Sequence, residues 1–130
     1  MHAYSAPLAD LRFVLHEVLD LPTLYARLPG SETASRELID AVIEEGARFV
    51  ESVLAPIYQS ADAEGCHFDP ATGAVTTPKG FKAAYAQWVE NGWSGLTAPE
   101  SAGGQGLPET VGAVIKELVD ATNLAWGNYP

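Results

Sequence analysis

The chain has 130 residues, enough for one domain with a buried core. Seven Lys and Arg stand against 17 Asp and Glu, and the resulting net charge of -10 opposes binding to nucleic acid and to anionic membrane surfaces. The single cysteine excludes an internal disulfide framework, no stretch approaches the roughly 20 apolar residues of a membrane span, and the N-terminus lacks a signal-peptide pattern, so we expect a cytoplasmic protein.

The first predicted element is a helix over residues 8–19. Its apolar residues recur at the spacing of one helix face. Pro7 precedes this helix, and Pro22 prevents its simple continuation. The apolar stripe comprises Leu8, Leu11, Val14, Leu15, Val18 and Leu19. A turn follows and ends at residues 29–30, so we take residues 1–30 as an N-terminal extension with a helix and a turn.

The longest periodic segment covers residues 35–63 and predicts a second helix. Ser35 is a suitable N-cap, and Gly65 is a helix-terminating signal. Pro56 removes a backbone donor within the segment, so a kink or a new helix start is expected there.

The stretch "HFDPATGAVTTPKG" has turn chemistry instead, with Pro70 and Gly73 as its fixed points. Its flanks predict one small turn or hairpin around residues 67–77. Pro78 then opens a third helix, whose expected core stripe is Phe81, Tyr85, Trp88 and Val89.

Pro108 begins a fourth helix, with an apolar side of Val111, Val114, Ile115, Leu118, Val119 and Thr122. Four helical segments with short connections predict an all-α helical bundle. We expect residues 1–130 to form a single domain, with residues 31–130 as its main helical region. The apolar, aromatic ending "NLAWGNYP" differs from the polar ends of most chains, so we expect a piece of a larger protein.

The loop "SAGGQGLP" raises the question of a phosphate site. A P-loop needs Lys and Ser or Thr after its last glycine, and a dinucleotide fingerprint needs a preceding strand. Neither condition is met at Gly106. The pattern therefore favours a connecting loop whose glycines allow positive φ.

Other candidate sites are weaker. Cys66, His67 and Asp69 are metal-capable residue types, but no second cluster accompanies them in sequence, so no metal site is expected. The abundant carboxylates lie opposite the apolar stripes and are typical of a solvated helix face. We assign no catalytic residue to this chain.

The stretch "GWSGLTAPESAGGQGLPETVGAVIKELVDATN" resembles the N-terminal helical domain of the acyl-CoA dehydrogenase family. The matching residues are Gly92, Pro99, Glu100, Gly103, Gly104, Gly106, Glu117 and Leu118. The opening "YSAPLADLRFVLHEVLDL" and the segment from Val53 to Trp93 are similar to a long branch that includes the 3-methylmercaptopropionyl-CoA dehydrogenases. One departure is Ala102, where the family usually has an aromatic residue.

The resemblance implies a larger FAD-dependent enzyme, which oxidises an acyl-CoA thioester to the 2,3-enoyl-CoA and passes electrons to an acceptor. It also implies that the catalytic base and most of the flavin contacts lie outside this chain, so the chain alone is expected to be inactive and not to bind FAD. A homo-oligomer is the expected assembly.

The resemblance further implies that the C-terminal part of this chain helps to wall the acyl pocket beside the flavin. The residues expected next to substrate or cofactor are Gly103, Gly104, Gln105, Gly106, Asn123, Trp126, Asn128 and Tyr129. The alternative is a stand-alone helical interaction module or acyl-binding module without redox activity.

Overall fold

A computed structural model describes residues 4–130. The all-α class predicted from the sequence is confirmed, since six α-helices and one short two-stranded sheet account for its main elements. These are α1 (Leu8–Arg12), α2 (Leu21–Tyr25), α3 (Arg36–Phe49), α4 (Tyr58–Glu64), β1 (His67–Asp69), β2 (Ala74–Thr76), α5 (Phe81–Glu90) and α6 (Glu109–Gly127). Within residues 4–130, no helix combines the length and the apolar character that crossing a membrane requires.

The N-terminal segment departs from the predicted stripe. After α1 the chain continues as a π-helical turn over Phe13–Val18, in which Leu15 and His16 are buried. The wider turn rotates the later side chains away from the face that an α-helix would present. Of the predicted stripe, Val14, Val18 and Leu19 are therefore exposed.

His16 takes an inward position because it has a partner on α3. Its Nε2 lies 2.8 Å from Oδ1 of Asp40. Arg12 also forms ion pairs with Asp40 and Glu44. These contacts fasten the N-terminal segment to α3 by polar pairs as well as by apolar packing.

The long central segment begins where the sequence predicts, and its helix type changes in the stretch before and around Pro56. The hydroxyl of Ser35 accepts a hydrogen bond from the backbone N–H of Leu38 at 3.2 Å, which caps α3. After α3 the helix passes through a π-helical turn, Val50–Leu54, and a 3₁₀ turn, Ala55–Ile57, before α4. Pro56 lies in the 3₁₀ turn, and the change of helix type there accommodates a residue that has no backbone N–H to donate.

The expected small hairpin is present as an antiparallel pair of β1 and β2, in which Phe68 is opposite Val75. Helix α5 follows, with Phe81, Ala84 and Trp88 buried. Tyr85 was expected in the core but is 43% exposed. That exposure leaves an aromatic side chain available at the surface between α5 and the end of α6.

Helices α3 and α6 form the centre of the core. All six side chains predicted to be buried on α6 are buried. Gly46 allows the two helices to approach closely, because a Cβ at that position would overlap the side chain of Ile115. At the junction with α5, an aromatic cluster packs with ring centroids 5.6 to 6.4 Å apart and comprises Phe49, Trp88, Trp93 and Trp126.

Candidate functional site

The glycine loop, residues 101–108, closes on the segment that precedes it. The backbone N–H groups from Gly103 to Leu107 all donate to carbonyl oxygens of residues 95–100, at donor–acceptor distances of 2.9 to 3.1 Å. In chain order, the acceptors are the carbonyl oxygens of Glu100, Pro99, Gly95, Ala98 and Leu96. Because these five donors are used internally, the loop is a tight connection and does not form a phosphate cradle.

Two kinds of glycine produce this closure. Gly103 and Gly106 adopt φ values of +81° and +66°, which L side chains rarely adopt. Gly104 is required for a different reason, since a Cβ there would lie 2.5 Å from the carbonyl carbon of Ala98. The loop therefore needs glycine for its own geometry, whether or not a ligand approaches it.

Gln105 is the loop residue whose side chain reaches a cavity. Its Nε2 donates to the carbonyl oxygen of Gly92 at 3.0 Å. It also lines a cleft of about 550 Å³ between α3, α5 and the turn after α5, together with polar residues such as Glu45, Arg48 and Asn91. The other predicted loop residues, Gly103, Gly104 and Gly106, contribute backbone to the surface.

The predicted site residues at the C-terminal end differ in their exposure to solvent. Asn123 and Trp126 are buried, whereas Asn128 and Tyr129 are exposed. The backbone of Asn123 leaves the helical region, with φ −155° and ψ 79°, so α6 is kinked there. Its Oδ1 accepts from the N–H of Trp126 at 3.2 Å, as an N-cap does, and its Nδ2 lies 3.5 Å from the carbonyl oxygen of Leu54.

The kink places Trp126 and Tyr129 beside the start of α5. The indole N–H of Trp126 donates to the carbonyl oxygen of Phe81 at 3.2 Å, and the rings of Phe81 and Tyr129 meet edge to face at 5.8 Å. An open cavity of about 350 Å³ results. We call it the aromatic groove, and its lining residues are Thr77, Phe81, Lys82, Tyr85, Trp126 and Tyr129.

The rim of the aromatic groove also contacts the residue before β1. The sulfur of Cys66 lies 3.7 Å from the hydroxyl oxygen of Tyr129. This hydrogen bond, together with lost hydration and the charge that the thiol gains on ionisation, raises the pKa of Tyr129 above its ordinary value. The hairpin region and the end of α6 are thereby linked at the groove.

Sequence reasoning identified two of the six groove residues, Trp126 and Tyr129. Tyr85 was assigned to the core because its spacing from Phe81 fits a helix stripe. One feature of the sequence could have pointed to Lys82. It is a basic residue in the first turn of a helix, where the helix dipole does not favour a positive charge and where no acidic residue is present. The meeting of α5 with the end of α6 depends on the kink at Asn123, which the sequence pattern does not indicate.

The fold and groove define the chain as an all-α domain with an aromatic cavity open to solvent. No protein-family model matches the chain. It is 36% identical, over 98% of its length, to the 3-methylmercaptopropionyl-CoA dehydrogenase of Ruegeria pomeroyi. It is 27% identical, over 99% of its length, to the broad-specificity linear acyl-CoA dehydrogenase FadE5 of Mycobacterium tuberculosis.

The predicted resemblance to the acyl-CoA dehydrogenase family is thus confirmed. It spans 21% of the length of each of these two relatives. Each relative is therefore several times longer than this chain of 130 residues.

Proposed function

We propose that this chain is the N-terminal helical domain of an FAD-dependent acyl-CoA dehydrogenase, which converts an acyl-CoA thioester to the 2,3-enoyl-CoA in the cytoplasm. The observation that carries the proposal is the 36% identity over 98% of the chain to one part of a much longer dehydrogenase. The chain contributes part of a binding wall, and the reaction requires the remainder of the parent protein.

The aromatic groove is the part of the chain best suited to that wall. Trp126 and Phe81 supply a buried apolar floor, and Tyr129 supplies an exposed edge. Apolar surface of this kind accommodates the hydrocarbon part of an acyl group. The buried Asn123 acts by shaping the kink that sets the position of Trp126.

The glycine loop does not fit the diphosphate of FAD, because its N–H groups from Gly103 to Leu107 are already hydrogen-bonded. In the parent protein, FAD would supply the acceptor for the hydride that leaves the acyl group. This chain contributes apolar contact and the exclusion of water beside that reaction.

The first test is the intact mass of the native gene product, followed by its absorbance spectrum. The proposal predicts a mass several times that of 130 residues, a bound flavin, and bleaching of the flavin by an acyl-CoA. A product of about 130 residues without flavin would overturn the proposal and favour a stand-alone interaction or acyl-binding module.

A variant pair tests the role of the groove in that parent protein. Trp126→Phe changes the groove floor, and we expect it to alter the preference for acyl chain length, as seen in kcat/KM across a series of acyl-CoAs. Trp93→Phe changes another member of the aromatic cluster that does not line the groove. The same change of preference in both variants would contradict a direct role for Trp126.

We also propose that the chain forms homo-oligomers. Several apolar side chains of the N-terminal segment are exposed, with Phe13 and Val18 each 60% exposed. Contiguous apolar surface drives association. Size-exclusion chromatography with light scattering should show a mass that rises with concentration, and a constant monomer mass would refute this expectation.

A further inference from the structure

A continuous series of aromatic rings crosses the domain from the cleft of about 550 Å³ to the end of α6. Trp93 lines the cleft and stacks on Trp88 with ring centroids 5.8 Å apart, and Trp88 meets Trp126 edge to face at 5.6 Å. The indole N–H of Trp126 donates to the carbonyl oxygen of Phe81, whose ring meets Tyr129 at 5.8 Å. We call this series the aromatic file. Its rings are close enough for an electron to pass from each one to the next.

Packing alone does not account for the indoles in this file. Among residues 4–130, neither Nε1 of Trp88 nor Nε1 of Trp93 has a hydrogen-bond acceptor, although both atoms are buried. A buried donor without an acceptor is costly, and a phenylalanine ring would fill a core without placing a donor there. The need for an aromatic core therefore explains rings at these positions, but it does not explain tryptophan.

The missing acceptors matter when an indole is oxidised by one electron. The resulting radical cation is acidic at its N–H, and a neighbouring base would take that proton and hold the oxidation in place. Trp88 and Trp93 have no such base, and Trp126 faces only a backbone carbonyl oxygen, which is too weak a base to remove the proton. Each oxidised indole therefore keeps its proton and stays able to take an electron from the next ring.

Tyr129 provides the opposite conditions at the outer end of the file. Its side chain is 51% exposed, and its hydroxyl oxygen lies 3.7 Å from the sulfur of the exposed Cys66. When the phenol gives an electron to the oxidised Trp126, the indole is restored, the phenolic proton passes to water and a neutral phenoxyl radical remains. The S–H bond of Cys66 then breaks, its hydrogen atom re-forms the phenolic O–H bond, and the oxidation ends as a thiyl radical at the surface.

We propose that the aromatic file conducts one-electron oxidation out of the core to Tyr129 and Cys66. The oxidant is a peroxyl radical in the cleft, which takes one electron from Trp93 and one proton from water and becomes a hydroperoxide. The final reductant is a dissolved thiol, whose hydrogen atom restores Cys66. The file thereby protects the core from permanent oxidation, and this activity does not depend on the dehydrogenase reaction.

The test uses the 130-residue chain and flash photolysis at the long-wavelength edge of tryptophan absorption, where tyrosine does not absorb. A dissolved cobalt(III) ammine complex captures the ejected electron and becomes cobalt(II), so that an indole radical remains. We expect the indole radical signal to decay as a tyrosyl radical signal grows, at a rate that does not change with protein concentration. A rate that rises in proportion to protein concentration would show transfer between molecules and would overturn the inference.

The variant Tyr129→Phe should abolish most of the tyrosyl signal, because it removes the outer end of the file. Tyr58→Phe is the matched control, since Tyr58 is 47% exposed and lies outside the file, and its tyrosyl signal should match that of the unsubstituted chain. Equal signals in the two variants would overturn the proposed route, and circular dichroism shows whether both remain folded.

Two further variants examine the route from within. Trp88→Phe should lower the yield of tyrosyl radical, because an oxidised Trp93 then has no neighbouring indole that leads outwards. Cys66→Ala should lengthen the lifetime of the tyrosyl radical, since it removes the hydrogen atom donor beside the Tyr129 hydroxyl. An unchanged yield in Trp88→Phe would contradict conduction through the file, and an unchanged lifetime in Cys66→Ala would contradict its last step.

Discussion

The glycine loop and the aromatic groove use their polar groups in different ways. The loop directs five consecutive N–H groups to its own preceding segment. The groove satisfies its buried indole donor but leaves two tyrosines and a lysine at the surface. The loop therefore serves mainly to hold the chain, whereas side chains of the groove can meet a ligand.

The largest loss of stability should come from adding a side chain where the loop lies closest to the segment before it. We expect Gly104→Ala to lower the free energy of unfolding by about 3 kcal/mol, because the new Cβ overlaps the backbone of Ala98. Urea denaturation followed by circular dichroism measures the loss.

Gly103→Ala is the matched neighbour, since a Cβ there meets no atom within 4 Å and only its positive φ is unfavourable. Its expected cost is about 1 kcal/mol. If the two variants unfold at the same urea concentration, the loop is not closed as tightly as its hydrogen bonds indicate, and its contrast with the groove is lost.

The next effect concerns the kink that builds the groove. Asn123→Ala removes the acceptor for the N–H of Trp126 and the donor that faces Leu54. We expect a loss of about 1 to 2 kcal/mol in the free energy of unfolding, measured in urea, together with a displaced indole signal of Trp126.

The exposed Asn128 provides the control for this variant. Asn128→Ala should change stability by no more than about 0.5 kcal/mol and should leave the Trp126 signal in place. An unchanged Trp126 signal in Asn123→Ala would mean that the kink forms without its side-chain cap.

The sequence is most informative where one local rule suffices. The buried side of α6 follows helical periodicity, and all of its predicted side chains are buried. In the N-terminal segment the predicted stripe holds at Leu15 but is wrong at Val14, Val18 and Leu19. The π-helical turn there directs His16 towards Asp40, a residue 24 positions away. Such a pair depends on tertiary packing, which local periodicity does not contain.

Only part of the candidate site was predicted, because the groove also depends on tertiary packing. Trp126 and Tyr129 were identified through family resemblance, and they do lie together at a cavity. Lys82 and Tyr85 reach that cavity because α5 lies beside the end of α6. Their participation could not be inferred from the spacing within α5 alone. The proximity of the predicted residues to substrate or flavin stays a prediction.

The smallest expected effect is a change of proton affinity at the rim of the groove. The contact with Cys66 raises the pKa of Tyr129, so the folded chain favours the protonated phenol. Stability from this contact is fully present below the ordinary tyrosine pKa of about 10 and is lost as pH rises through the raised value. We expect Cys66→Ala to lower the pKa of Tyr129 towards its ordinary value, as measured from the ring carbon resonances against pH.

The variant Cys66→Ser distinguishes the effect of the hydrogen bond on the pKa of Tyr129 from the effect of the thiolate charge. A hydroxyl retains a hydrogen-bond partner for Tyr129 but does not ionise in this pH range. Because the hydrogen bond is the largest cause of the shift, the pKa of Tyr129 in Cys66→Ser should stay closer to that of the unsubstituted chain than to that of Cys66→Ala. Equal values in all three proteins would show that the hairpin does not hold Tyr129 at the groove, and that the edge of the groove is set by α5 and α6 alone.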